Sequence, residues 1–340
     1  MKKNNIVCLT LLGFFTALIL ILTPNFKVLS QTTNKVLSQN EIEAIAKMTV
    51  VFHAPLINRT KEDSLKDLAT KKYIEDRIGS GVIIAKRDDV YYALTNVHVL
   101  EPKCGNHLIA RDSKKSKRKE QEGIHIIPER PYNGSQEKCD ENFEYFGNYD
   151  YTKNDYIDGF DLAIIKFTSK RNYFTISIDS LDSIQQNDKV FVFGFPIPEF
   201  QENRDSGDVV MKSTSGTVKS LEAPNPNGGY DFAYTNPTVS GMSGGLVLNE
   251  QGYLVGIHAA EAVLGNKEKG GQGIRIKHFL DIIEQGNSLI SLSELNFNPP
   301  SQELIDAGKE NDGVIESIDE ILFLCPEIEN KTPLFMETER

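Results

Sequence analysis

The chain has no tryptophan and only four cysteines and five methionines in 340 residues, so 18 phenylalanines and 12 tyrosines must supply the aromatic bulk of any core. Basic charge is also in short supply. Lys and Arg total 37 against 48 Asp and Glu, a formal charge of -11, which argues against nucleic acid as a partner. No C-x-x-C pair and no H-E-x-x-H stretch occurs, so neither a structural nor a catalytic zinc is expected, and no other metal or organic cofactor is called for. Long apolar runs are equally scarce. The one uncharged stretch of note, residues 6–22, follows Lys2 and Lys3 and has the layout of a secretory signal, with Val28 and Ser30 placed for cleavage before Gln31. The alternative is an uncleaved anchor, since 17 residues is the short limit for crossing about 30 Å of hydrocarbon. After cleavage no segment is suited to a membrane. Loss of residues 1–30 removes Lys2, Lys3 and Lys27 and no acid, moving the formal charge to -14.

Cys8 falls in this leader, leaving Cys104, Cys139 and Cys325, an odd number. In an oxidising compartment Cys104 and Cys139 can close the loop between them, a link worth about 3–4 kcal/mol. The alternative is three free thiols. The full chain, 39% hydrophobic and 25% charged, has the balance of a globular protein able to bury a sizeable core.

The pentapeptide KVLSQ occurs at 27–31 and again at 35–39, and in the second copy Ser38 with Glu41 forms an S-x-x-E capping box ahead of Ile42, Ile45 and Ala46. A short helix is therefore expected to lead into the domain. From residue 48 onward the pattern becomes short β-like runs parted by turn residues, at 49–52, 82–85, 90–95, 162–167, 174–178, 190–193, 209–213, 244–248, 254–257 and 273–276. This predicts an all-β protein. One helix is expected at 277–284, with Phe279, Leu280, Ile282 and Ile283 on one face and Gly286 as its stop. Residues 101–157 read as a charged, loop-rich interruption, and the segment after 290 as a tail with short acidic helices at 303–307 and 314–323.

The sharpest chemical signal is G-M-S-G-G at 241–245, because an attacking serine needs a tight turn whose backbone N–H groups can face a developing oxyanion. The same letters satisfy G-x-S-x-G, the α/β-hydrolase pattern. There the serine opens a helix and precedes its acid and histidine. Here 246–248 and 253–257 read as a β-hairpin instead. A serine hydroxyl at neutral pH also needs a histidine to take its proton and a carboxylate to orient that histidine.

His98 stands in A-L-T-N-V-H-V at 93–99, after G-S-G-V-I-I at 79–84, and D-L-A-I-I-K follows at 161–166. These segments resemble the chymotrypsin-like (trypsin-like) serine peptidases, and more closely their bacterial exported branch. The order His98, Asp161, Ser243 is that family's order. T-N-P-T-V at 235–239 and V-F-V-F-G-F-P at 190–196 resemble further family segments. The resemblance implies two antiparallel six-stranded β-barrels with the catalytic cleft between them and a short C-terminal helix. It implies a peptidase domain at 46–286 (barrels at 46–170 and 171–286), which leaves the leader at 1–30, an N-terminal segment at 31–45 and an acidic tail at 287–340 outside it. It also implies Ser243 as nucleophile, His98 as general base, Asp161 as its orienting acid, and the backbone N–H groups of Gly241 and Ser243 as oxyanion hole.

Met242 stands where trypsin has the aspartate that pairs with a new N-terminus, so no such activation is expected. His258, in L-V-G-I-H-A-A at 254–260, occupies the place of a pocket histidine in relatives selective for glutamate or glutamine, and Pro237 near the pocket base offers no carboxylate for a basic side chain. Only Cys104 resembles a family disulfide position. The expected partner is a protein or peptide substrate and the expected location is outside the cytoplasm, periplasmic or secreted. The rival reading is a catalytically silent peptide-binding module; an esterase would share the same nucleophile.

Overall fold

A computed structural model describes residues 35–55, 77–100, 107–111, 124–127, 142–150, 155–197, 208–222, 227–286 and 288–315. The expected leader, Cys104, Cys139 and Cys325 lie outside the described residues. Among the described residues no helix is long and apolar enough to cross a membrane, and no group of three or more His, Cys, Asp or Glu side chains could hold a metal ion.

The capping box forms as the sequence predicts. The Ser38 hydroxyl accepts the Glu41 N–H, the Glu41 carboxylate accepts the Ser38 N–H at 2.9 Å, and helix α1 (Gln39–Thr49) follows with Ile42, Ile45 and Ala46 buried. Strand β1 (Val50–Pro55) starts one residue later than expected because Thr49 closes the helix, its hydroxyl donating to the Ile45 carbonyl at 2.9 Å.

Strand β1 is an inner strand of a seven-stranded antiparallel sheet. Its other members are β2 (Gly79–Arg87), β3 (Val90–Thr95), β4 (His107–Ala110), β5 (Ile124–Ile127), β6 (Phe143–Asp150) and β7 (Asp155–Thr168), in the order β5-β4-β1-β2-β3-β7-β6. Side chains two apart divide between the faces. Val82, Ile84, Leu94 and Ile164 enter one buried cluster, and Ile83, Tyr91, Ala93 and Ile165 another, so these strands read as continuous apolar runs because both faces are covered.

The remaining strands are β8 (Lys189–Gly194), β9 (Val209–Val210), β10 (Lys212–Leu221), β11 (Phe232–Tyr234), β12 (Leu246–Leu248), β13 (Leu254–Val263), β14 (Lys269–Arg275) and β15 (Val314–Ile315). Six of them close a barrel in the order β10-β11-β14-β13-β12-β8. Val190, Val192, Val247 and Val255 pack with Phe232 and Tyr234, while the alternate residues Phe191, Phe193, Leu246 and Leu248 join the core that contains Val82 and Leu94. The barrel and the sheet thus share one hydrophobic core. The all-β, two-lobed expectation is met by one closed six-stranded barrel and a sheet of seven strands in place of a second six-stranded barrel. The 14-residue β7 carries a neighbour on each edge, β3 along 163–168 and β6 along 155–165.

Other departures have local causes. Residues 174–178 form no regular strand: the Ile176 N–H goes to Ile83, that of Ile178 to Asn296, and the remaining contacts are single bridges. Within 101–157 the structure places β4 and β5, of only four residues each, β6, whose eight residues mix Glu, Asn and Asp with aromatics, and the start of β7. Helix α2 (Ile276–Glu284) matches the expected C-terminal helix. Beyond it, residues 288–315 pack back onto the fold: α3 (Gln302–Glu310) lies on α1 with Gly308 against the Ala44 backbone, and Arg87 pairs with Glu294. Val314 and Ile315 are strand β15, paired with β9, and not the start of a helix. Gly313 at φ +74, with the Asn311 and Asp312 side chains accepting the N–H groups of Gly313 and Val314, turns the chain out of helical geometry.

Candidate active site

His98 lies in the turn after β3 and Asp161 lies inside β7, whose register against β3 pairs Thr95 with Ala163 and so puts the two beside each other. The Asp161 side chain is fully buried and accepts three hydrogen bonds. Its Oδ1 takes the His98 backbone N–H at 3.0 Å, and its Oδ2 takes His98 Nδ1 at 2.7 Å and the Tyr230 hydroxyl at 2.9 Å. A carboxylate has acceptors only, so the His98 proton sits on Nδ1 and Nε2 is left as the basic nitrogen. Asn96 Nδ2 donates to the Asp161 carbonyl at 2.6 Å, which fixes the backbone as well.

Ser243 stands in the turn between β11 and β12, framed by Gly241 at φ +91 and Gly244 at φ +83. Both positions require glycine twice over, by backbone angle and by space: a Cβ on Gly241 would strike the Ile197 amide nitrogen, and one on Gly244 the Ser80 carbonyl oxygen. The turn is tied to the neighbouring strand by Gly244 N–H to His258 O and His258 N–H to Gly245 O, both 2.8 Å. A register shift in β13 between His258 and Ala260 leaves the Ala259 carbonyl outside the ladder, and the Ser243 hydroxyl donates to it at 2.8 Å.

Ser80, in the sheet, grips the same turn from the other side. Its N–H donates to the Ser243 carbonyl at 2.8 Å and its hydroxyl to the Gly241 carbonyl at 2.9 Å, while the hydroxyl accepts the Phe195 N–H at 2.7 Å. The two residues expected to supply the oxyanion hole are therefore held through their carbonyls by a residue that the sequence motif contained without marking its role.

Behind Ser80 runs a buried chain of neutral donors and acceptors. Thr95 donates its hydroxyl to the Ser80 carbonyl at 2.7 Å, so it accepts from His53 Nε2 at 2.8 Å, and His53 Nδ1 in turn accepts from His107 Nε2 at 3.2 Å. Each ring carries its proton on Nε2. Burial favours that uncharged state: it pushes His53 well below the usual histidine range, with the nearby His107 and His98 adding to the effect, and takes His107 down to about 3.

Residues 79–257 match the trypsin-like peptidase domain, a span that holds His98, Asp161 and Ser243 and exceeds half of the chain. The chain belongs to the trypsin-like peptidase family. No curated protein matches it. Among solved structures it is similar to the serine endoprotease from Yersinia pestis, at 21% identity and a TM-score of 0.44, over 73% of this chain and 66% of that one. The chain thus spans just under two thirds of that protein's length. The overall likeness is loose, and membership of the trypsin-like peptidase family rests on the 79–257 match.

In this peptidase domain His258 is buried, its Nδ1 lying 2.7 Å from the Tyr234 hydroxyl, which also reaches the Gln272 carbonyl at 3.2 Å. Burial takes it to about 3, and the positive charge His98 can carry adds to that, so the ring is a neutral hydrogen-bonding group. Pro237 is exposed, before the buried Thr238 whose hydroxyl has no partner among the described residues. From β6, Tyr149 borders the His98 ring, with centroids 6.3 Å apart. Tyr230, Thr95 and Ser80 were not legible as site residues, because each acts through a contact with a residue far away in sequence.

Removing the Ser80 hydroxyl leaves the Gly241 carbonyl and the Phe195 N–H buried without their partner. Ser80→Ala is expected to cost about 2 kcal/mol in urea unfolding and to lower kcat more than it raises KM. A variant with wild-type kcat would show that the turn holds its shape without the grip.

Proposed function

We propose that the chain is an exported serine endopeptidase in which Ser243 attacks a peptide carbonyl and His98 takes its proton. The observation that supports this most directly is the His98 Nδ1 to Asp161 Oδ2 contact of 2.7 Å, which leaves Nε2 as the base, in the same fold unit as a glycine-framed serine turn. The Ser243 hydroxyl gives up its bond to Ala259 and turns to His98. Its oxygen forms a bond to the carbonyl carbon, the proton passes through His98 to the leaving amine, and the C–N bond breaks. Water then repeats the sequence on the acyl-enzyme, releasing the acid. Developing negative charge on the carbonyl oxygen is met by the backbone N–H groups of Gly241 and Ser243, two residues whose own carbonyls accept from Ser80. No metal or organic cofactor enters these steps.

His258 and Pro237 are assigned to the walls of the pocket for the side chain before the scissile bond. Neither supplies a carboxylate, so cleavage after lysine or arginine is expected to be rare. Export is assigned on the layout of residues 1–30.

The test is labelling of the purified chain with a fluorophosphonate beside Ser243→Ala and His98→Ala, with cleavage sites mapped in a denatured protein mixture. Labelling and cleavage lost in both variants are the expected outcome. Folded wild-type protein that neither labels nor cuts would sink the proposal and favour the silent peptide-binding module.

A further inference from the structure

We propose that Tyr230 is a positioning residue for the His98–Asp161 pair, a hydroxyl contributed by the barrel to fix a carboxylate that belongs to the sheet. This rests on the peptidase reading above. Tyr230 lies just before β11, and its hydroxyl donates to Asp161 Oδ2 at 2.9 Å, the same oxygen that accepts from His98 Nδ1.

The segment carrying Tyr230 is anchored on both sides of it. Before it, the Gly228 carbonyl accepts the Asp161 N–H at 2.8 Å, and Gly229, at φ +77, leaves room for the Phe160 ring where any side chain would collide with it. After it, the Asp231 side chain is fully buried and accepts from Arg275 Nε, from the Arg275 N–H at 2.8 Å and from His278 Nε2 at 2.7 Å. Arg275 continues to Asp182 at 3.1 Å, which also meets Lys277, and the His278 ring stacks on Phe160 with centroids 5.0 Å apart. Phe160, Asp161, Gly228, Tyr230, Asp231 and His278 thus form one brace that spans the two halves at the orienting acid.

The physical effect follows from counting donors. Asp161 is shut off from water, so its charge rests on the donors the protein supplies: the His98 N–H, the His98 Nδ1–H and the Tyr230 hydroxyl. The Tyr230 bond shares the Oδ2 lone pairs with His98 and stops the carboxylate from rotating out of the imidazole plane. The charged and titratable groups facing this brace are His98 and Asp161 on one side and Asp231, Arg275, His278, Asp182 and Lys277 on the other. His98 is also within electrostatic reach of the buried His53 and His258.

Tyr230→Phe keeps the ring and removes the donor. It is expected to lower kcat about tenfold while KM stays within about twofold, the pattern of an interaction felt at the reacting pair rather than in substrate binding. The acidic limb of the kcat/KM profile is expected to move, and the downfield proton NMR resonance of His98 Nδ1–H, identified by its loss in His98→Ala, to shift further downfield as Asp161 Oδ2 gives its full strength to one donor. If resonance and limb both stay in place, the proposal is overturned, whatever happens to stability. The resonance is readable in a chain that cuts nothing. A wild-type protein inert to fluorophosphonate would therefore sink the peptidase reading while the NMR comparison still decided whether Tyr230 acts on His98 through Asp161.

Discussion

Asp161→Asn is expected to lower kcat about ten-thousand-fold, with a smaller change in KM. The carboxamide has one acceptor oxygen and one donor nitrogen, whereas Asp161 meets three donors on its two oxygens and sits in a site closed to water. If the new NH2 takes the place of Oδ2, it faces both His98 Nδ1 and the Tyr230 hydroxyl. His98 then moves its proton to Nε2 and can no longer accept one from Ser243. If the amide flips, the NH2 faces the His98 backbone N–H instead, and the turn carrying the imidazole is pushed away. Either orientation sets donor against donor. Steady-state kinetics on a peptide substrate checks this, with the thermal midpoint as a control for folding. A loss of less than tenfold would mean that His98 is oriented by something other than Asp161.

The second large effect is on stability in acid. His53, His107 and His258 are buried and uncharged in the folded chain, His107 and His258 lowered to about 3 and His53 also well below the ordinary value of 6.5. The half-buried His125, against Tyr173, is lowered to about 4. Below 6.5 the unfolded chain binds protons at these sites that the folded chain refuses. Stability is therefore full above about 6.5 and falls as the pH drops from there toward the folded values, by about 1.4 kcal/mol per pH unit for each histidine. With four such rings the loss reaches about 5.5 kcal/mol per unit, and within two units it rivals the whole stability of a typical domain, about 5–15 kcal/mol.

The carboxylates of Glu41 and Glu294, held below the usual range by capping-box serines and, for Glu294, by Arg87, add to the loss only further down, as they protonate. A proton on His53 Nδ1 would also face the His107 N–H, breaking the line that runs through Thr95 to Ser80 and the nucleophile turn. Activity is expected to disappear with structure. Urea unfolding at pH 7, 6, 5 and 4 tests this, with His107→Gln expected to flatten the slope by about a quarter. A midpoint that holds steady from pH 7 to 5 would contradict the buried neutral chain.

The elements written in short-range chemistry were readable from the chain alone. Ser38 and Glu41 announce α1 because a capping box is made within one turn. Residues 90–95 announce β3 because a strand covered on both faces needs an unbroken apolar run, and Gly241 and Gly244 announce the turn because only glycine tolerates both the backbone angle and the close approach. His98, Asp161 and Ser243 stood out for a related reason, each lying inside a local segment whose other residues shape the backbone around it.

Tertiary structure alone decided the rest, because those features rest on contacts between residues whose separation in sequence carries no signal. The closure of the barrel rather than the sheet, and the return of residues 288–315 onto α1 and β9, are of this kind. So are the grip of Ser80 on a turn 161 residues away and the reach of Tyr230 to Asp161 across 69. A serine in a strand and a tyrosine after a pair of glycines are ordinary in sequence. They become parts of the site only when the barrel and the sheet close on a shared core and leave one carbonyl and one carboxylate buried beside them, each needing a donor.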